Sequence, residues 1–156
     1  MASTDRSDLI ALSTGSVLLA LYVVQGIAHL EWPLLVQLQR GDVYKVVSGS
    51  VLGIYLLHQS FMAKRRVFDP IGVLVWHKLT GAAGPLLLYA HASRFGYGYL
   101  FVLTSLFIGT VGFALLHRVV LRARWLFTTW FVVHVATASS LVVLGCYHVV
   151  IALAYE

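Results

Sequence analysis

Two stretches with one spacing decide the fold: His77-Lys-Leu-Thr-Gly-Ala-Ala-Gly-Pro-Leu-Leu-Leu-Tyr-Ala-His91 and His134-Val-Ala-Thr-Ala-Ser-Ser-Leu-Val-Val-Leu-Gly-Cys-Tyr-His148. In each, two histidines stand fourteen positions apart within an apolar run long enough to cross a bilayer. On a helix that interval is close to four whole turns, so both imidazoles leave one face, about 21 Å apart along the axis. The positions between them on that face are Gly81, Gly84 and Leu88 in the first stretch and Ala138, Leu141 and Gly145 in the second. Small residues there leave room for a flat, bulky group against the backbone, and the histidines offer it nitrogen lone pairs.

Composition supports a lipid setting. Of 156 residues 60% are apolar and only 11% charged, under half the charged share of a typical soluble domain. The size predicts one compact domain over residues 1–156, with no room for a separate nucleotide or flavin domain. The net charge of +5 would suggest nucleic acid, but the basic residues cluster between apolar runs, where they orient a membrane protein, so a nucleic-acid partner is rejected. The one cysteine, Cys146, lies inside an apolar run, which excludes a disulfide and a Cys-x-x-Cys-His attachment site. Leu9 to Leu30 is too long for the core of a signal peptide and is read as an uncleaved span.

The expected architecture is all-α, an integral membrane bundle of five transmembrane helices. The spans are Leu9 to Leu30, Val46 to Ala63, Ile71 to Ser93, Leu100 to Leu116 and Trp125 to Tyr155, with a short amphipathic piece from Leu34 to Gln39 near the surface. Pro85 removes a backbone hydrogen bond to the turn containing Gly81, so a bend is expected between His77 and His91. Arg6, Lys64, Arg65, Arg66, Arg118, Arg122 and Arg124 fall on one side and Arg40, Lys45 and Arg94 on the other, which places the N-terminus in the cytoplasm. Aromatic belts agree: Trp76, Trp125 and Trp130 near the inner surface, Trp32, Tyr44, Tyr97, Tyr99 and Tyr155 near the outer. Gly49, Gly53, Gly109 and Gly112 form small-residue patterns assigned to helix packing.

In this scheme the two histidine spans are separated by one span and run in the same direction. His77 and His134 then share the inner level and His91 and His148 the outer, so each level can clamp one iron from two sides, and two stacked b-type haems are expected. Six-coordinate bis-histidine iron has no open position for substrate, which favours electron transfer over catalysis at the metal. Zinc or copper fits less well, because no Cys, Asp or Glu stands one or two turns from these histidines. For the haem propionates the candidate cations are Lys78 and, one turn beyond His91, Arg94; the competing role of both is to set orientation. His29, His58 and His117 have no partner at this spacing, and a structural or propionate-contact role is preferred for each over ligation of a further cofactor or contact with a quinone.

Two His-x13-His helices with one helix between them resemble the ferric reductase-like membrane domain of ferric reductases and NADPH oxidases, and also cytochrome b of the quinol-oxidising respiratory and photosynthetic complexes. The resemblance covers roughly Ile71 to Tyr155. It implies that His77, His91, His134 and His148 ligate two haem b groups. The oxidase families continue into a sixth helix and a flavin- and nicotinamide-binding domain, whereas Glu156 is the last residue here; the Pro-Glu-Trp-like quinol motif of the other family is not present. The electron donor is therefore expected to be another polypeptide or a quinone.

The leading expectation is a cytochrome b subunit of a larger membrane redox complex, in a bacterial inner membrane, with a soluble electron donor or acceptor as partner. Two alternatives stand beside it. One is a quinone-reactive oxidoreductase subunit in which His58, His117 or Arg118 helps to protonate the quinone; the other is a haem-free structural or transport bundle.

Overall fold

The computed structural model describes residues 2–64, 70–120 and 124–155. Every regular element among them is helical: α1 (Ala2–Ile27), α2 (Pro33–Gln39), α3 (Asp42–Lys64), α4 (Pro70–Ala82), α5 (Gly84–His91), α6 (Tyr99–Leu115), α7 (His117–Val120) and α8 (Arg124–Tyr155). The helices cluster as two compact units, Met1–Arg94 and Phe95–Glu156. The charged connections Lys64-Arg65-Arg66 and Arg118 to Arg124, on which the expected orientation leans most, lie largely outside the described residues.

Among the described residues three helical stretches are long and apolar enough to cross a membrane: Arg6–Ile27, Ile71–His91 and Trp125–Tyr155. Of the five expected spans these are the first, third and fifth. The fourth, α6, is apolar but has only 17 residues. The second, α3, has 23 residues, but Asp42, Lys45, Tyr44, Ser48, Tyr55, His58, Gln59 and Ser60 dilute its apolar character. Little of the apolar surface is covered by protein, and in the window of Trp125–Tyr155 only 6% is buried. Ile54, Val143 and Val150 each expose about two thirds of their surface or more. Burying a side chain of that kind is worth about 1.5–3 kcal/mol, so a lipid surrounding is the medium that stabilises this chain.

The chain breaks where its local chemistry requires. At the end of α1, His29 takes φ +53° and the Leu30 amide donates to the Gln25 carbonyl at 3.0 Å, a six-residue closure with histidine in the left-handed position usually given to glycine. Trp32 is extended (ψ 112°), as a residue before proline must be, and Pro33 opens α2. Gly96 and Gly98 have φ of +70° and +61°; a Cβ on Gly96 would lie 2.7 Å from that of Leu100, so the turn into α6 requires glycine there.

The third expected span is two helices. Pro85, fully buried, lacks the amide that would bond the Gly81 carbonyl, and α4 ends at Ala82 before α5 starts at Gly84. The carbonyl left over is not orphaned, since the Tyr55 hydroxyl donates to it at 3.2 Å from α3. The bend expected from Pro85 is thus a break with its own hydrogen-bond partner, and the helix closes at His91, short of Ser93.

Within the first unit, Asp8 meets Lys78 and Gln25 meets Ser93, so α1 runs parallel to α4–α5. Ser48 meets His91 and Gln59 meets Thr80, so α3 runs antiparallel to both. Tyr22, Ala82, Pro85 and Leu88 form the core. Within the second unit, Tyr99 meets His148 and Trp130 meets Phe113, so α6 and α8 are antiparallel, over a core of Thr104, Phe107, Val111 and Leu141.

Candidate functional site

In the first unit, both histidines of α4–α5 face α3, and α3 presents polar side chains to them. Tyr44, Ser48, Tyr55 and Gln59 recur at i, i+4, i+11 and i+15, which places them on one side of that helix. Ser48 Oγ is 3.1 Å from His91 Nδ1. The single hydroxyl hydrogen of Ser48 goes to the Tyr44 carbonyl at 2.7 Å. The Lys45 carbonyl stands 3.3 Å from the same oxygen, so the Ser48 hydrogen has acceptors on its own helix and its lone pairs face Nδ1, an arrangement that suits the Nδ1–H tautomer of His91.

The Cε1 edge of His91 also approaches a missing side chain. A Cβ added to Gly49 would stand 3.1 Å from His91 Cε1, so this glycine is what lets α3 approach the imidazole. The backbone that carries His91 is fixed by side chains from three helices. Gln39 donates to the carbonyls of Tyr89 and Ala90 at 2.8 and 3.1 Å, Tyr44 to Ala90 at 2.9 Å, Tyr22 to Ala92 at 3.3 Å and Gln25 to Ser93 at 2.7 Å. Ser93, buried, returns a hydroxyl hydrogen to Gln39 Oε1 at 2.7 Å. The last carbonyls of a helix have no partner within it, and here they are closed off from water by donors from α1, α2 and α3.

At the other end of the arm, the Gln59 amide meets His77 Nδ1 at 2.8 Å. Tyr55 and Gln59 also cover Gly81: a Cβ there would meet Gln59 at 3.7 Å. Gly81, expected to face a ligand, thus looks onto α3, and Gly84 is buried at the start of α5. Lys78 pairs with Asp8 at 3.0 Å, half-buried, and Arg94 bonds Glu31 through Nε at 2.5 Å. The guanidinium holds the Glu31 carboxyl below its ordinary range, chiefly through that hydrogen bond, and Glu31 in turn raises Arg94. The two cations expected at haem propionates therefore have carboxylate partners of their own.

The second unit treats its histidines differently, because α8 is unbroken. His134 lies parallel to the Trp130 indole, with centroids 5.6 Å apart and planes 4° apart. Its Nδ1 is buried and has no hydrogen-bond partner. Trp130 is held in turn, its indole N–H donating to the Phe113 carbonyl near the end of α6 at 2.5 Å. His148 Nδ1 is 3.3 Å from the Tyr99 hydroxyl. Gly145, on the same face, opens onto space: a Cβ there would meet nothing within 4 Å.

Of the remaining histidines, His29 caps α1, His117 stands 5.4 Å from Trp130, and His58 lines a shallow groove of about 540 Å³ with Ile54, Leu57, Ser60 and Phe61. Cys146 is exposed on α8. Among the glycines assigned to packing, Gly49 seats a histidine, whereas Gly53 and Gly112 meet nothing within 4 Å. Among the described residues no three His, Cys, Asp or Glu side chains cluster. Sequence reading passed over Ser48, Tyr55 and Gln59. Their signal was available, as polar residues recurring on one side of an otherwise apolar helix. No protein-family model, curated protein or solved structure matches this chain.

Proposed function

We propose that the chain is a di-haem b-type cytochrome, an integral membrane subunit that carries electrons across a bacterial inner membrane for a larger redox complex. The observation that carries the reading is the contact between Ser48 and His91. With the Ser48 hydrogen on the Tyr44 carbonyl, that contact suits the Nδ1–H tautomer of His91, which would leave Nε2 the lone pair needed to hold a haem iron.

Other features fit the same group. His134 has a buried ring nitrogen without a partner, which costs free energy unless something compensates it. Gly145 leaves space beside α8 between His134 and His148. His77, His91, His134 and His148 would hold the two haems through ring nitrogens, and bound haem b would supply an iron that passes single electrons. The chain's own part is to orient the imidazoles from α3 and α6, to surround them with apolar side chains and to keep water from the carbonyls around His91. Five crossings, by α1, α3, α4–α5, α6 and α8, with the N-terminus in the cytoplasm, complete the proposal. The antiparallel sequence of α1, α3 and α4–α5, and that of α6 and α8, supports it.

The test is a visible spectrum of the purified protein in mild detergent. Two haems per chain with a sharp reduced α-band are expected, His91→Ala should lose one and keep the other, and a featureless spectrum defeats the proposal. Whether His148→Ala removes the same component as His91→Ala examines the pairing expected from the spacing. A quinone-reactive role has one observation in its favour, His117 against a Trp130 that stacks on His134. Haem reduction by quinol in the isolated subunit, lost in His117→Ala, would select it.

A further inference from the structure

A histidine ring turns easily about its Cβ–Cγ bond, because that torsion joins a tetrahedral carbon to a flat ring and has no sharp staggered wells. What usually fixes the plane of a metal-holding imidazole is a hydrogen bond at its other ring nitrogen. His134 has no such bond at Nδ1. It has instead a flat neighbour one helical turn earlier on α8, the Trp130 indole, 4° from its plane with centroids 5.6 Å apart. A half-turn of the imidazole exchanges its nitrogens and carbons but leaves its plane where it is, so this contact is the same for either tautomer. The indole is itself held. Its N–H donates to the Phe113 carbonyl of α6 at 2.5 Å, and an indole has no acceptor with which to make the opposite bond. Phe127, a turn before it on α8, stands 5.6 Å from its ring at 33°, and His117 of α7 stands 5.4 Å away at 57°. Groups from α6, α7 and α8 thus surround the ring on which His134 stacks. His148, at the other end of the pair, meets Tyr99 with planes 47° apart and has no parallel stack of this kind there.

We propose that Trp130 is a positioning residue that sets the ring plane of His134, with the Phe113 carbonyl of α6 as its anchor. A binding constellation works when its groups stay within roughly 10–20° of the required orientation, held by neighbours whose own rotamers are locked. A parallel stack on an anchored indole supplies that limit for a ring whose own torsion does not. The consequence for a cofactor rests on the haem reading above: the haem that uses His134 would have one imidazole of fixed plane. The plane itself does not rest on that reading.

The experiment uses the full chain in detergent with 13C-labelled histidine, first haem-free, its ring signals assigned with His134→Gln and His148→Gln. Relaxation of the ring C–H groups reads how far each imidazole turns. In the wild type the His134 ring should have an order parameter like that of rigid backbone, about 0.85, and in Trp130→Leu it should fall below about 0.6. His148, on the same helix, should be unchanged and reports that the variant is folded. If Trp130→Leu disturbs His148 as well, Trp130→Phe decides, since it keeps a flat face, loses the N–H to Phe113 and should lower the order of His134 part of the way. A mobile His134 ring in the wild type, or a ring as rigid in the deciding variant as in the wild type, overturns the proposal. Haemin is then added. The magnetic anisotropy of low-spin ferric iron depends on the angle between its two imidazole planes, so in Trp130→Leu the signal of the haem that His134→Ala lacks should broaden while the other stays sharp. Two unchanged signals overturn the positioning role even though haemin binds. Ring order as stated with no bis-histidine spectrum on adding haemin would support the Trp130 assignment and defeat the cytochrome reading instead.

Discussion

The α4–α5 arm and the α8 arm carry the same pair of histidines at the same interval, and the protein builds them in opposite ways. α8 is one helix of 32 residues, so the four-turn geometry implied by the spacing is realised directly. α4–α5 is broken at Ala83 and is held in register from outside, by Tyr55 on the carbonyl that Pro85 abandons and by Gln59 and Ser48 on the two rings. One arm gets its geometry from continuous backbone hydrogen bonding; the other gets it from a polar face on α3. A helix interruption within an apolar segment is tolerated when a neighbouring side chain takes over the freed backbone group.

The contrast can be broken most forcefully at Tyr55. Tyr55→Phe leaves the Gly81 carbonyl without its donor in a part-buried site, a loss of about 1–3 kcal/mol. Unfolding in detergent should show that loss, and if the variant matches the wild type, the bridging role of Tyr55 is mistaken.

A smaller but sharper difference is expected between two glycines. Gly49→Ala pushes a methyl group to 3.1 Å from His91 Cε1, so the ring or α3 must give way at a cost of about 1 kcal/mol, read as a lower unfolding midpoint in detergent. Gly145→Ala meets nothing within 4 Å and should be neutral or stabilise α8 by about 0.5–1 kcal/mol through helix propensity. Equal responses from the two would show that the α3 contact on His91 is no tighter than the open face of α8.

The smallest effect concerns the exposed ion pair beyond His91. Glu31 is held below its ordinary range by Arg94, so the pair stabilises the fold at pH values above the ordinary carboxylate range and loses its contribution as pH falls through the lowered value. The drop in thermal midpoint from neutral to acidic pH should be slightly larger for the wild type than for Glu31→Gln. Because both groups are exposed, salt should weaken the difference further.

Much of the helix layout was legible in the residues. Apolar runs bounded by Trp32-Pro33, by Asp69-Pro70 and by the Gly96 and Gly98 turn located α2, α6 and α8 closely, whereas α1 begins at Ala2, ahead of the apolar run from Leu9, because lipid and proline act on local sequence and a polar first turn can still be helical. The face of α4–α5 was legible as a face. What it met was not. Periodicity says which residues share a side of a helix and says nothing about which neighbour lies there, so Gly81 read as room for a ligand although α3 covers it.

Taken alone, the sequence determined that this chain is helical and suited to a bilayer, and it set two pairs of histidines at the same interval, since hydrophobic length and helical repeat depend only on the order of residues. Only the tertiary structure decided which nitrogen of each imidazole the protein holds. A proton's position on a histidine is set by whether the atom 3 Å away gives or accepts a hydrogen, and in the α4–α5 arm that atom belongs to α3, a different stretch of the chain.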